Sequence, residues 1–401
     1  MRHLFNFFLF VLICFSLTCC FIVRPRKIVE EPIVSVTILW DTDTIFISSK
    51  NSYTVSNKDK IITIDANTEL IITKSAELRT GQDKIVVLKP NKKEIMSSPD
   101  KIIFESPDEL TAGKNSITTT TYRKKIEIKK GVVHRFPTQK DLTAVNVLPI
   151  EEYLYGVVSC EIGMAKEQEL EAAKAQAVCA RSYTMALLGK RKDFDLYASY
   201  LYDQEYQGKS REYKLSIKAV EETRGEIMNY KDEPILAQYH ACCGGRTTNG
   251  RYPYLQSIVD ASHHSRHEKP YCQDSPYFEW TVKIPRTAFE DSILRLVGIK
   301  YKFKLNLKLD INKTTKRVDY LKFEGDKEYK IPGESIRKAF NLKSTFFTVK
   351  IKNDTTEISG HGWGHGIGMC QYGALEMARQ KISYKNILRH YYSGIKLVRI
   401  Y

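Results

Sequence analysis

Glu161 is the first residue in the chain whose setting suggests acid–base chemistry. Small and apolar residues precede it, and a helical pattern begins a few positions later. Burial among such neighbours raises the pKa of a carboxyl group, which then stays protonated near neutral pH and can act as a general acid. A single glutamate before a helix is far more often a capping or ion-paired residue, so Glu161 alone does not identify a site.

A histidine followed by two cysteines and two glycines forms a second candidate, in residues 238–247 (QYHACCGGRT). Glycine accepts backbone conformations that other residues avoid, so the pair predicts a tight turn that brings the main chain close to another group. On this segment alone, a hydrogen-bonded core histidine is the more common explanation of His240.

The third candidate is residues 360–374 (GHGWGHGIGMCQYGA), in which five glycines alternate with other residues between positions 360 and 368. The segment lacks the Gly-Lys-Ser/Thr ending of a phosphate loop. It instead presents His361, Trp363 and His365 on a chain that can approach a ligand closely. An aromatic ring and hydrogen-bonding imidazoles suit a sugar, which has apolar C–H faces and a rim of hydroxyl groups.

The elements that must position these residues begin with a β-rich region over residues 31–118. Short β-branched runs in this region are separated by clusters of Asn, Asp, Lys and Pro, and none of them carries a constellation that suggests chemistry. Its default role is structural support. Three further strands are predicted at residues 122–128, 145–149 and 397–401.

The helical signal is strongest from Glu167 to Leu188, where small and apolar residues recur at intervals of three and four and therefore share one helix face. Another helix is predicted from Ala374. Residues 301–311 alternate strictly between apolar and polar side chains, which predicts a half-buried strand. Helices and strands mix without βαβ regularity, so the sequence predicts an α+β fold around a substrate groove.

Residues 1–23 resemble an export leader, because Arg2 and a short polar start precede a long apolar run. The same run is long enough to anchor the chain in a bilayer. Residues 17–20 (LTCC) also resemble a bacterial lipoprotein cleavage box, with Cys19 in place of the usual small residue. We therefore expect an exported protein of the cell envelope, held at the membrane by an anchor or a lipid.

The net charge of +15 suits anionic partners such as nucleic acid, acidic lipid head groups or an anionic wall polymer. Lysines are scattered along the whole chain, so a general lysine bias explains the charge equally well. The export leader and the lack of an aromatic–basic recognition motif argue against nucleic acid as a partner.

Taken in order, the motifs resemble the stage II sporulation protein D family, which includes the LytB-type amidase enhancers. The resemblance covers about residues 119–401, which we expect to form the catalytic domain. The matching segments are residues 152–158 (EYLYGVV) with Glu161, 173–183 (AKAQAVCARSY), 239–247 (YHACCGGRT), 360–374 and 387–394 (ILRHYYSG).

The resemblance implies a peptidoglycan lytic transglycosylase that acts on glycan strands, preferably those stripped of stem peptides. The family's catalytic glutamate corresponds to Glu161. The matching segments also supply the residues that we expect to bind substrate, which are Lys174, Gln176, Arg181, Tyr183, His240, His361, Trp363, His365, Gln371 and Tyr372.

One acid suffices for this reaction. A glycosidase that uses water needs two carboxyl groups, whereas a lytic transglycosylase lets the C6 hydroxyl of N-acetylmuramic acid attack C1 of the same sugar. Glu161 would then serve first as acid and afterwards as base, and the product would be a 1,6-anhydro sugar. The alternative is a non-catalytic peptidoglycan-binding partner that enhances a separate cell-wall amidase.

The cysteines depart from the family pattern. Six lie outside the leader, without a CxxC pair that would indicate a zinc ribbon or a redox motif. Some relatives hold zinc near the active site through Cys and His, so the resemblance implies His240, Cys243 and Cys272 as ligands of an optional zinc ion. A disulfide from Cys272 to Cys242 or Cys243 is the alternative outside the cytosol. The reaction itself requires no cofactor.

Overall fold

The computed structural model describes residues 30–76, 83–131, 142–163, 166–261, 269–299, 306–325 and 327–401. The predicted leader, with its cleavage-box cysteines, lies outside the described residues. Within the described ranges, no helix is long and apolar enough to cross a membrane. Helices and strands are mixed over several sheets, which confirms the predicted α+β class.

The first part of the chain folds into a large, mainly antiparallel sheet with the order β11-β1-β10-β9-β8-β2-β5-β6-β7, in which β3 joins β8 to β4. Alternate residues of β1, such as Val34 and Val36, are fully buried, as expected for a strand with one face on the core. The strands are β1 (Ile33–Thr42), β2 (Thr44–Ser48), β3 (Tyr53–Ser56), β4 (Ile61–Ile64), β5 (Leu70–Ala76), β6 (Asp83–Leu88), β7 (Glu94–Ser98), β8 (Lys101–Gly113), β9 (Thr119–Lys130), β10 (Leu142–Pro149) and β11 (Leu196–Tyr197).

This sheet contains the strands predicted in residues 31–118 and also those predicted at 122–128 and 145–149. Strand β1 pairs with β10 from Ile33 opposite Pro149 to Thr42 opposite Leu142. The boundary predicted between residues 118 and 119 therefore falls between two paired strands, β8 and β9. The division of the chain into two domains stays a prediction.

The helices follow strand β10 along the chain. They are α1 (Ile150–Ile162), α2 (Leu170–Leu187), α3 (Lys214–Glu222), α4 (Arg286–Leu296), α5 (Gly333–Ala339), α6 (Gln371–Arg379) and α7 (Tyr384–Tyr391). Of these, α1, α2, α3, α6 and α7 pack together. The helix predicted over residues 167–188 is confirmed as α2 with a short 3-10 turn before it, and the helix predicted from Ala374 begins three residues earlier, at Gln371.

Helix α2 is buried around most of its circumference, whereas the sequence pattern predicted a single buried face. Helices α1, α3, α6 and α7 and strand β12 (Glu226–Tyr230) all contact it. Its alanines allow this close packing, because their side chains let neighbouring backbones approach. Its fully buried residues include several polar ones, among them Gln176 and Arg181.

The short strands after β12 form small sheets near the helices. They are β13 (Glu233–Pro234), β14 (Tyr239–His240), β15 (Glu279–Pro285), β16 (Leu307–Ile311), β17 (Val318–Glu324), β18 (Glu328–Pro332), β19 (Phe347–Lys352), β20 (Thr355–His361), β21 (Met369–Cys370) and β22 (Lys396–Arg399). The strand predicted over residues 301–311 is present from Leu307, and its first part lies outside the described residues. The predicted final strand is present as β22.

Residues 279–361, which we call the insert, have a hydrophobic core of their own. Sheets β15-β20-β19 and β16-β17-β18 pack with α4 and α5 around it. Its fully buried members include Phe289, Leu321, Ile336 and Ile358. Strand β20, the central strand of one of these sheets, ends at His361 and continues into residues 361–368, which we call the glycine loop.

A buried ion pair connects α1 and α2 to the C-terminal residue. The Arg181 guanidinium on α2 donates to both carboxylate oxygens of Glu151 on α1, with Nε–Oε1 and Nη2–Oε2 distances of 2.9 and 2.6 Å. The Gly225 N–H and the hydroxyl of Tyr401 also donate to Glu151. Both partners are at most 1% exposed. This geometry satisfies the two charges, which would otherwise be costly to bury.

We predict that Glu151→Gln lowers the free energy of unfolding by about 3–5 kcal/mol, because it leaves the Arg181 charge buried without a partner. Urea titration at neutral pH measures this change. Glu167→Gln is the matched control, since Glu167 pairs with Lys218 on the surface and should cost about 1 kcal/mol or less. Equal losses in the two variants would contradict the structural role given to Arg181.

Candidate active site

Glu161 lies in the last turn of α1, which ends at Gly163 in a left-handed conformation with φ of 57°. The backbone N–H of Glu205 donates to its Oε1 at 2.6 Å. The side chains of Gln371 and Tyr239 are two further donors close to the carboxyl group. Glu161 as a residue is partly buried, and the surroundings of its carboxyl group are largely protein.

The environment of Glu161 raises the pKa of its carboxyl group to about 7. Burial is the largest cause, and the nearby Glu205 carboxylate adds to it. The three hydrogen-bond donors act in the opposite direction, because they stabilise the ionised form. A carboxyl group poised near neutral pH can both give and take a proton, as the sequence analysis expected of Glu161.

A two-residue parallel pairing brings distant parts of the chain to Glu161. In β14 and β21, Tyr239 lies opposite Met369 and His240 opposite Cys370. Gln371 follows at once as the first residue of α6. Gly368 precedes the pairing with φ of 70°, and a Cβ atom there would lie 2.0 Å from the Gln238 carbonyl oxygen. Only glycine fits this approach.

Buried polar groups hold the residues around Glu161 in place. The Gln204 amide Nε2 donates to the Tyr239 hydroxyl at 2.9 Å, and its Oε1 accepts from Tyr153 and Thr184 at 3.1 and 3.0 Å. Gln371 donates from Nε2 to Gln176 Oε1 at 3.4 Å. Gln176, which the sequence analysis expected to bind substrate, thus lies behind Gln371 and is fully buried.

The glycine loop presents an aromatic surface beside Gln371. The Trp363 ring is 40% exposed and stands edge-on to Tyr277, with 4.2 Å between ring centroids. Tyr277 in turn contacts Tyr372, and the Lys343 ammonium lies 5.1 Å from the Trp363 ring. Two backbone hydrogen bonds between Trp363 and Cys242 fix the loop. The predicted site residues Trp363 and Tyr372 are therefore brought together, on a surface suited to the apolar faces of a sugar.

The predicted histidines differ in their surroundings. His240 is buried, and its Nδ1 lies 3.1 Å from the Ile367 carbonyl oxygen. His365 is exposed and accepts the Ile367 N–H at its Nδ1, with the two imidazole centroids 5.6 Å apart. Burial lowers the pKa of the His240 imidazole, which is therefore neutral at pH 7. His361 packs between Phe278 and Phe346 at the base of the loop.

Two of the residues expected to bind substrate are instead held in ion pairs with carboxylates of the helices. Arg181 is fully buried in its ion pair with Glu151. The Lys174 ammonium lies 2.7 Å from both Glu171 and Glu222, where it links α2 to α3. Tyr183 is partly buried and donates to Asp203 Oδ1 at 3.2 Å.

Several residues at the site were not predicted from the sequence. Glu205 and Gln204 come from the irregular segment after β11, and Tyr277 from the chain before the insert. The segment around Glu205 has neither helical nor strand periodicity, so nothing in it indicates contact with α1. Tyr239 lies in the segment that predicts His240 as a site residue, but its own residue type gives no separate signal.

The cysteines form a buried cluster close to the cleft. One ligand atom from each of Cys243, Asp260, Cys272 and Cys370 lies within 4.8 Å of all the others. His240, expected as a zinc ligand, is not in this group, and Asp260 and Cys370 were not anticipated. Three thiols and a carboxylate are a donor set that suits zinc.

The raised pKa of Glu161 predicts a pH-dependent stability. The group binds its proton more tightly when folded, so its stabilising effect is complete below about pH 4.5 and is lost as the pH rises through about 7. The free energy of unfolding of the wild type, relative to Glu161→Gln, should therefore fall by at most about 3 kcal/mol over this interval. Urea titrations from pH 4 to 8 measure the difference. A flat difference would show that the carboxyl group titrates normally.

A sequence model described as stage II sporulation protein matches residues 138–230, which include α1 and α2. The chain is 32% identical over 275 residues to an uncharacterised protein of Brachyspira hyodysenteriae, over 65% of this chain and 70% of that protein.

Two further relatives carry functional names. Stage II sporulation protein D of Bacillus amyloliquefaciens is 30% identical over 277 residues, which are 63% of this chain and 75% of that protein. The amidase enhancer of Bacillus subtilis is 27% identical over 305 residues, which are 61% of this chain and 40% of that protein. The chain therefore belongs to the family of stage II sporulation protein D and the amidase enhancer.

Proposed function

We propose that the chain is a peptidoglycan lytic transglycosylase that cleaves the bond between N-acetylmuramic acid and N-acetylglucosamine, with Glu161 as its acid and base. The observation that carries the proposal is the Glu161 carboxyl group, which has a pKa of about 7 and three hydrogen-bond donors near it. The aromatic surface of Trp363, Tyr277 and Tyr372, in which Tyr372 directly follows Gln371, supports a sugar as the ligand.

We assign different roles to the two Glu161 oxygens. Oε1 accepts the Glu205 N–H, so we place the transferred proton on Oε2. In the first step this proton passes to the glycosidic oxygen as its bond to C1 breaks. The C6 hydroxyl of the same sugar then forms the new bond to C1 and returns its proton to Glu161. The donors Gln371 and Tyr239 stabilise the carboxylate between the two transfers.

Glu205 is a second carboxylate near the site, and it defines the competing hydrolytic reaction. A hydrolase needs such a group to activate water. The Glu205 carboxylate is occupied by Gln207 Nε2 at 2.8 Å and by the Tyr200 N–H at 3.3 Å. This engagement favours transfer to the sugar's own hydroxyl, and the two reactions give products that differ by one water.

Glycan strands with and without stem peptides, incubated with the purified chain and analysed by mass spectrometry, test this proposal. We expect 1,6-anhydro ends from the wild type and a loss of about 10²–10⁴-fold in rate for Glu161→Gln, because the reaction loses its acid and base. Glu167→Gln, an exposed glutamate beyond the end of α1, is the matched control and should keep full activity. Products with added water would indicate hydrolysis, and intact strands would exclude cleavage.

The second candidate is a non-catalytic peptidoglycan-binding protein that enhances a cell-wall amidase, as the name of one relative suggests. In that case the wild type and Glu161→Gln would bind glycan strands equally, cut none, and accelerate an added cell-wall amidase to the same extent. Either function requires an exported protein, since peptidoglycan lies outside the cytoplasm. This agrees with the leader predicted at residues 1–23, which would place the chain at the membrane.

Both candidates predict that Trp363 contributes to glycan binding. We expect Trp363→Ala to weaken binding of denuded strands about three- to tenfold, because an aromatic contact is worth roughly 0.5–1.5 kcal/mol. Co-sedimentation at pH 7 with Glu161→Gln as the background prevents cleavage during the measurement. Tyr320→Ala is the control, since this ring is similarly exposed but lies on β17 of the insert. An unchanged affinity in Trp363→Ala would remove the aromatic surface from the binding site.

A further inference from the structure

We propose that Cys243, Asp260, Cys272 and Cys370 form a closed structural site for one tetrahedral divalent metal ion of the zinc type. This ligand set differs from the one expected from the sequence, because it excludes His240 and includes Asp260 and Cys370. The metal site does not depend on whether the chain cleaves glycan strands.

The four ligand atoms already lie at distances compatible with one bound ion. The Cys243 and Cys272 sulfur atoms are 3.4 Å apart, and Asp260 Oδ2 lies 3.2 Å from Cys243 Sγ. With zinc–sulfur bonds of about 2.3 Å, two sulfur ligands of a tetrahedron are about 3.8 Å apart. All four residues are buried and all four ligand positions come from protein, as in structural zinc sites.

Asp260 is held in the orientation that a ligand would need. The Tyr391 hydroxyl donates to Oδ1 at 2.6 Å, which leaves Oδ2 directed at Cys243. Gly373 makes room for this contact, since a Cβ atom there would lie 2.2 Å from the Tyr391 hydroxyl and 2.6 Å from Asp260 Oδ1. Hydrogen bonds of this kind commonly orient the carboxylate ligands of a metal.

An unpaired buried cation beside the cluster gives an independent reason to expect negative charge there. Arg317 is 4% exposed and donates from Nη2 to the Cys243 carbonyl oxygen at 3.2 Å. Its Nε and Nη1 atoms have no hydrogen-bond partner among the described residues.

Charge and geometry together favour a metal site over the alternatives. Three thiolates and a carboxylate carry four negative charges, so a divalent ion leaves the cluster with a charge of about −2. This charge stabilises the buried Arg317 guanidinium, which is otherwise expensive to bury. With neutral thiols or a Cys243–Cys272 disulfide, the negative charge of the cluster would be at most that of Asp260. A disulfide would also leave the convergence of Cys370 on these residues unexplained.

A bound metal ion would stabilise the pairing of β14 with β21, which positions the residues around Glu161. Cys243 follows β14, whereas Cys370 is the last residue of β21 and the N-cap of α6. Gln371, the next residue, contacts Glu161. The ion would therefore hold the two strands in register without touching substrate, and its residues are positioning residues.

Metal analysis of the full chain, purified without chelator, tests this inference. We expect one zinc ion per chain in the wild type, and substoichiometric metal in Cys272→Ser, Cys370→Ser and Asp260→Asn. Cys179→Ser is the matched control, since Cys179 is also buried but hydrogen-bonds to Tyr392 outside the cluster. His240→Ala should retain the metal, and its loss in that variant would overturn the proposed ligand set.

If the variants do not fold, Co²⁺ substitution and intact-mass measurement of the wild-type chain still test the inference. The wild type loaded with Co²⁺ should show the near-ultraviolet thiolate absorption and the intense visible bands of a tetrahedral site, which zinc then removes. A wild-type chain that binds neither ion would overturn the inference. A mass two hydrogens below that of the reduced chain, with the loss mapped to these cysteines by peptide analysis, would assign the cluster to a disulfide instead.

Discussion

The two-residue pairing of β14 with β21 is the constraint on which the site depends. Parallel strands cannot be joined by a tight turn, so the chain between them must leave and return. The insert and the glycine loop occupy that excursion. Because neighbouring residues on a strand point in opposite directions, the register sets which side chains face Glu161 and which face the cysteine cluster. A slip by one residue would move Tyr239 away from the carboxyl group and Cys370 away from its three partners.

The elements with a clear local period were predictable from the sequence. The helix around Ala173 and the strands in the first 150 residues follow their patterns, and the three motifs near Glu161, His240 and Trp363 do converge. The roles of individual residues within these motifs do not follow from the pattern. Arg181 and Lys174 lie in the motif closest to Glu161. Both nevertheless pair with carboxylates on neighbouring helices, because α2 is packed against other elements on most of its sides.

The unpredicted parts of the site come from tertiary contacts alone. Glu205 reaches Glu161 through a backbone N–H, which any residue possesses, so its side chain gives no signal. No sequence pattern marks Asp260. Its role depends on the hydrogen bond from Tyr391 and on the close approach of Gly373 in the folded chain. Residues far apart in the chain define both groups, and no spacing rule connects them.

The insert packs as a separate unit next to the glycine loop. Its central strand β20 runs straight into the glycine loop, and the Trp280 indole N–H donates to the Gly362 carbonyl at 2.9 Å. The insert also has a hydrophobic core separate from the main one. A region with its own core can open as a cooperative unit while the rest of the protein stays folded. Trp363 therefore lies next to a unit whose local stability can differ from that of the helices that carry Glu161.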